Sequence, residues 1–258
     1  MFDGAKLAFG TLTAIPVPAP DRIDRGVAGR AMTLAPLTQL PLVIVLLLWG
    51  WAVREAPVPP LLAAAITLVV VTLATRGMHL DGLADTADGL SASYDRATAL
   101  EVMRRGNTGP SGAAAVTLVL LVDAGALTFL LTTGAGVVLV ALSVLASRHL
   151  LTWACSARVP SARKEGLGAT VAGTVRLTTA GLCFILLLGV SALTVYWSGA
   201  VWWAGPIAMS CAAIGGVAVI RRATSRLGGI TGDVLGAVIE VSLAVALTTS
   251  ALLLSANP

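Results

Sequence analysis

Seven stretches of this chain stay apolar for close to twenty residues each: 34–53, 61–78, 112–131, 136–157, 177–197, 201–220 and 234–254. About 20 such residues coiled as an α-helix match the hydrocarbon core of a bilayer, and a helix satisfies its own backbone polar groups there. This pattern narrows the possible folds to an all-α, polytopic integral membrane protein of about seven transmembrane helices. Composition leaves no soluble alternative, since 57% of the 258 residues are apolar and 12% charged, against about 45–50% and about 25% in soluble domains. Nothing between the runs is long enough for a separate domain. Residues 1–258 are therefore expected to form one membrane unit, with 1–33 as a cytoplasmic or interfacial N-terminal segment. Within it, Gly4 to Pro20 reads as an interfacial helix stopped by Pro16, Pro18 and Pro20. The first residues lack the basic start, apolar core and cleavage site of a signal peptide, so the mature chain is expected to begin there.

The charges order the spans. Lys6, Arg22, Arg25 and Arg30 precede the first run; Arg76, Arg96, Arg104 and Arg105 follow the second; Arg158, Arg163, Lys164 and Arg176 follow the fourth; Arg221, Arg222 and Arg226 follow the sixth. The gaps on the other side hold only Arg54. By the positive-inside rule the N-terminus is expected in the cytoplasm and the C-terminus outside, in the cell membrane, with every polar loop on the cytoplasmic face. Lipid is then the surrounding partner. The bases are scattered with no aromatics between them, which excludes a nucleic-acid surface. Cys155, Cys183 and Cys211 have no CxxC spacing and read as small buried hydrophobes.

The least expected stretch is "HLDGLADTADGL", His79 to Leu90, directly after an apolar run. Read as a helix continuing the second span, it carries Asp81, Asp85 and Asp88 at i, i+4 and i+7, within about 60° of one face. Ionised carboxylates stacked in this way repel one another, and a cation relieves the repulsion. Oxygen-only ligands suit Mg²⁺, which commonly joins one or two carboxylates to substrate phosphates. The bland alternative is a solvated acidic face. Two glycine-rich turns open later spans: "GNTGPSG" with Asn107, Gly109 and Ser111, and "GGITGD" with Thr231, Gly232 and Asp233. Free N–H groups at a helix start suit phosphate. Arg148 and Glu240 lie inside apolar runs and must meet a partner or a wet cavity, either a substrate phosphate or each other. His79, roughly 160° around the helix from Asp81, is expected to meet a neighbouring helix, and His149 to be structural.

The stretches "TLTAIPVP", "GMHLDGLADTADGL", "SARKEGLG" and "GGITGDVLGAVIE", in that order, together resemble the cobalamin synthase family, the adenosylcobinamide-GDP ribazoletransferases of prokaryotic vitamin B12 assembly. The resemblance runs from about residue 7 to residue 240. It implies attack by a hydroxyl of α-ribazole, or of its 5′-phosphate, on the cobinamide-side phosphorus of adenosylcobinamide-GDP, with release of GMP and with Mg²⁺ as cofactor. On that reading Asp81, Asp85 and Asp88 hold the metal against the diphosphate, and one of Asp81, Asp85 and Asp233 takes the hydroxyl proton. Arg148, Asn107, Gly109, Ser111, Glu165, Thr231, Gly232 and Glu240 are the implied substrate contacts. In one loop the sequence departs from the pattern: Arg105 and Asn107 stand where many relatives carry an acidic residue, which favours phosphate contact there over metal ligation. The alternatives are a CDP-alcohol-type phosphotransferase acting on a lipid and a cation-binding transporter. Polar sequence gathered on one face, rather than at mid-depth in several helices, argues against transport. The sequence leaves room for a homo-oligomer and does not divide the aspartates between metal and proton.

Overall fold

The computed structural model describes residues 2–256 and is all-helical. In chain order the helices are α1 (Phe2–Leu12), α2 (Arg25–Leu34), α3 (Leu40–Glu55), α4 (Pro60–Ala74), α5 (Met78–Ala92), α6 (Arg96–Val102), α7 (Pro110–Leu130), α8 (Gly134–Ala154), α9 (Leu167–Val171), α10 (Leu177–Trp197), α11 (Ala204–Leu227) and α12 (Gly232–Ser255). Six helical segments are long and apolar enough to cross a bilayer: Arg25–Glu55, α7, α8, α10, α11 and α12. The pair α4 and α5 makes a seventh if counted together. Among the described residues there is no strand, only isolated bridges at Ser156–Val175 and Ser161–Ile230.

Two expectations change. The first span does not begin at residue 34: α2 runs through one 3₁₀ stretch (Ala35–Gln39) into α3, and Arg25–Glu55 forms a single 31-residue segment. Pro36 and Pro41 lack the N–H that an unbroken α-helix would use, and the chain tightens there instead of stopping. The second change concerns the acidic stretch, which does not continue the second span. Helix α4 ends at Ala74, and α5 leaves at 89° to it. The corner is Arg76 and Gly77, at φ 56 and 66, a left-handed conformation natural for glycine and strained for arginine. Its fixings are a hydrogen bond from the Arg76 guanidinium to the Gly10 carbonyl at 2.7 Å and one from Ala14 N–H to the Ala74 carbonyl, also 2.7 Å.

Those bonds place the end of α4 beside α1, whereas its start follows α3, whose Arg54 lies against Gly134 at the start of α8. Helix α4 thus carries the chain from one face of the bundle to the other. On the α1 face the long loops are laced together by arginines. Arg25 donates to the Gly173 carbonyl, Arg96 to Ala162, Arg163 to Leu100 and Arg226 to Ser93. All the polar loops therefore meet on one face. Helices α8 and α12 are buried along most of their length. The outer α10 exposes Leu182, Ile185 and Leu186, as a lipid-facing helix does.

Candidate active site

Helix α5 lies across the start of α12, and glycines set the distance. A Cβ on Gly82 would lie 2.7 Å from the Asp233 carbonyl oxygen, and one on Gly236 would lie 2.9 Å from that of His79. Both are closer than real Cβ contacts, so only glycine lets the backbones touch here. The result is that Asp81 and Asp85 of α5 face Asp233 in the first turn of α12. Thr231 caps α12, its hydroxyl accepting from Val234 N–H at 3.2 Å and donating to Asp233 Oδ2 at 3.1 Å. Arg163, on the loop before α9, approaches the same oxygen at 3.6 Å.

Asp81 is exposed, while Asp85 and Asp233 are half-buried. Partial burial, with Asp81, Asp233 and Asp88 as neighbouring negative charges, pushes Asp85 up to about 6 from the usual 3.8, and Arg163 offsets only part of this. Among the described residues no three His, Cys, Asp or Glu side chains stand close enough to hold a metal by themselves. The donor set, oxygen-only and mutually repelling, suits a hard cation shared between one or two carboxylates and a ligand's phosphates, and does not suit a closed protein cage.

Asp88 differs from its two neighbours. Its Oδ2 accepts from Gly109 N–H at 2.6 Å and its Oδ1 from Gly112 N–H at 2.8 Å, and it is buried. The positive end of α7 is thus already neutralised by the chain's own carboxylate. This corrects the expectation that Gly109 offers a free N–H to phosphate. It also explains the glycines, since a Cβ at Gly109 would lie 2.6 Å from Asp88 Oδ1, and one at Gly112 would overlap the same carboxylate. Asn107 and Ser111, with Arg105, line an open depression beside this cap, about 370 Å³ in volume. Thr231 is buried by its capping role, Glu165 is exposed on the loop before α9, and Gly232 lines a cleft.

That cleft, about 230 Å³, opens between α1, α2, α5, α8 and α12. Asp81 and Asp233 form its polar wall, and Met32, Leu151, Leu235 and Ile239 its apolar one.

Behind the cleft is a second, enclosed set of charges. Arg148 is fully buried, donating from Nη1 to Ser147 Oγ at 2.7 Å and from Nη2 to His79 Nδ1 at 3.4 Å. Glu240 Oε1 lies 3.9 Å from the same histidine nitrogen. Neither expectation for the pair holds in its simple form: Arg148 does not reach solvent to meet a phosphate, and His79 stands where a direct Arg148–Glu240 ion pair was expected. His149 accepts from Trp153 Nε1 at 3.2 Å and stacks on Phe184, a structural role. Sequence reasoning missed two residues. Asp123 is buried in the middle of α7, and its signal was a lone acid in "LLVDAGAL". Arg163 was hidden within "SARKEGLG", and only the folded loop shows that it reaches Asp233.

The family model for cobalamin-5-phosphate synthase matches residues 4–251. Among similar proteins, an adenosylcobinamide-GDP ribazoletransferase of Nocardioides sp. is 42% identical over 96% of this chain and 97% of its own length. One of Frankia casuarinae is 39% identical over 96% and 94%, and one of Pseudomonas putida 34% over 91% and 93%. No solved structure matches.

Proposed function

The chain belongs to the cobalamin-5-phosphate synthase family, and on that premise we propose that the α5–α12 edge is where it joins adenosylcobinamide-GDP to α-ribazole, or to α-ribazole 5′-phosphate, in assembly of the B12 nucleotide loop. The hydroxyl oxygen of the acceptor bonds to the cobinamide-side phosphorus, the bond from that phosphorus to the bridging oxygen breaks, and GMP leaves with that oxygen. Asp81 and Asp233, on the wall of the cleft, are the carboxylates placed to take the hydroxyl proton. Asp81 and Asp85 would hold Mg²⁺, which when bound supplies charge neutralisation on the diphosphate. Asp88 keeps the end of α7 fixed beside them, and Arg105, Asn107 and Ser111 offer polar contacts to the phosphates of the donor. Arg163 steadies Asp233 by its charge.

The observation that carries this reading is the glycine-set contact of α5 with α12, which brings carboxylates from two distant sequence motifs to one open edge. The polar face, rich in Lys and Arg, is assigned to the cytoplasm of the cell membrane, with the N-terminus inside and the C-terminus outside; water-soluble nucleotide substrates meet it there. The test is to give the purified protein adenosylcobinamide-GDP and α-ribazole with and without Mg²⁺. Release of GMP that depends on the metal and on both substrates is expected. Its absence would overturn the assignment, and release equal with and without metal would overturn the role of Mg²⁺.

A further inference from the structure

The cleft beside Asp81 and Asp233 is too small for the whole of either substrate. At about 230 Å³ it lies below the roughly 300–1,000 Å³ of ordinary small-molecule sites, so it takes one part of a ligand. A diphosphate is a poor occupant, because it would set its charge against two carboxylates and the apolar side chains of Met32, Leu151 and Ile239. A flat, apolar ring system fits those walls, with its polar substituent at the carboxylate wall.

One cleft residue asks for a specific partner. His79 lines the cleft and is 4% exposed. Its Nδ1 faces Arg148 Nη2 at 3.4 Å. A guanidinium only donates, so that nitrogen is bare and the ring proton sits on Nε2. Glu240, at 3.9 Å, is beyond hydrogen-bonding reach of Nδ1. Nε2 is buried and without a partner. A buried N–H left unpaired is costly, and such exceptions call for an explanation.

We infer that the cleft is the subsite for the aromatic base of the acceptor nucleoside, and that His79 Nε2–H donates a hydrogen bond to the base's free ring nitrogen. In a benzimidazole nucleoside one ring nitrogen is bonded to the sugar and the other carries a lone pair. With the base between Met32, Leu151 and Ile239, the ribose lies at the mouth, and its hydroxyl meets Asp81 and Asp233. Arg148 acts at second hand, fixing which nitrogen of His79 carries the proton. This inference rests on the acceptor being α-ribazole, as proposed above.

The test compares α-ribazole with the analogue in which the free ring nitrogen is replaced by CH, measuring binding of each to the full-length detergent-purified protein without metal. The native protein is expected to bind α-ribazole at least about tenfold more tightly than the analogue. His79→Asn keeps an acceptor for Arg148 but carries no donor as far out as Nε2, and it should bind both nucleosides equally weakly. His79→Gln, whose amide nitrogen reaches the Nε2 position, should restore part of the preference. Equal preference in the native protein and the H79N variant would overturn the subsite, as would no preference in the native protein or an equal loss for both nucleosides in the variant. Metal-dependent GMP release persisting alongside any of those results would overturn the subsite alone. Its absence would overturn the functional reading beneath it.

Discussion

Helices α5 and α12 each carry polar groups into two different surroundings. At the edge stand Asp81, Asp85 and Asp233, three like charges partly open to solvent, with the base Arg163 beside them. Two turns further into α12 and behind α5 stands Glu240, closed in with the fully buried Arg148 and with His79, whose ring lies between them and the cleft. The contrast separates two uses of charge. Uncompensated and accessible carboxylates are ready to exchange a ligand; in the enclosed set the opposite charges of Arg148 and Glu240 flank His79 and hold helices in register. Substitutions of the edge carboxylates should therefore lower turnover and leave stability intact, whereas substitutions of Arg148 or Glu240 should first of all cost stability.

The largest effect is expected from Asp85→Asn or Asp81→Asn. Either should cut turnover by roughly 10²–10⁴-fold, measured as GMP release, with the melting temperature in detergent unchanged or raised, since each removes a repelling charge. Near-native turnover in both variants would erase the difference between the two regions. Next comes Arg148→Leu, which leaves Glu240 buried with no cation beside it. Breaking a buried charge set by one partner costs about 3–5 kcal/mol, read as a large loss of thermal stability. The double variant Arg148→Leu/Glu240→Leu should recover most of it. Full stability in the single variant would show that Arg148 compensates no buried charge.

How much of this was legible in the sequence follows from the same contrast. The spans were readable because hydrocarbon thickness fixes their length, and 177–197 coincides with α10 residue for residue. The corner at Arg76 was not readable: a helical wheel assumes the helix continues, and only the bonds that tie Arg76 to Gly10 and Ala74 to Ala14, far apart in sequence, show why it turns. The Asp81 and Asp85 positions stood out because nothing in a membrane helix requires them. Asp88 looked identical on the wheel, and its bonding to Gly109 and Gly112 depends on how α7 returns, which the spacing does not encode. Glycines 82 and 236 looked like weak points of helices and prove to be the contact itself.

Gly82→Ala tests that contact. The added methyl would press on the Asp233 backbone and push α5 away from α12, which should cost about 1–3 kcal/mol and lower turnover as Asp81 and Asp85 move off Asp233. Loss of stability without loss of turnover would show that their spacing is not set there. The pH response is smaller still. Asp85, at about 6, is ionised above that pH and free to bind a cation; below it protons compete, and the apparent Mg²⁺ affinity should fall by up to about tenfold per pH unit. The sign for metal-free stability is opposite. The folded protein holds this proton more tightly than the unfolded chain, so stability should decrease as pH rises from about 4 to about 6. A flat Mg²⁺ affinity from pH 7 to pH 5 would remove Asp85 from the metal site.

The smallest expected effect comes from the same chemical change made one turn along the same helix. Asp88→Asn keeps one oxygen to accept from Gly109 or Gly112 but turns an amide N–H₂ toward the other donor, and it removes the charge at the positive end of α7. That should lower stability by about 1 kcal/mol, the usual scale of a helix cap. The Mg²⁺ requirement proposed above should be unaffected by this change, because neither oxygen of Asp88 faces the cleft edge free of a backbone partner. Asparagine at 85 and at 88 thus gives two variants identical in charge and size, on one helix, with opposite readouts. If Asp88→Asn lost turnover as deeply as Asp85→Asn, the cap would be a ligand as well, and the edge would extend along the whole acidic face of α5.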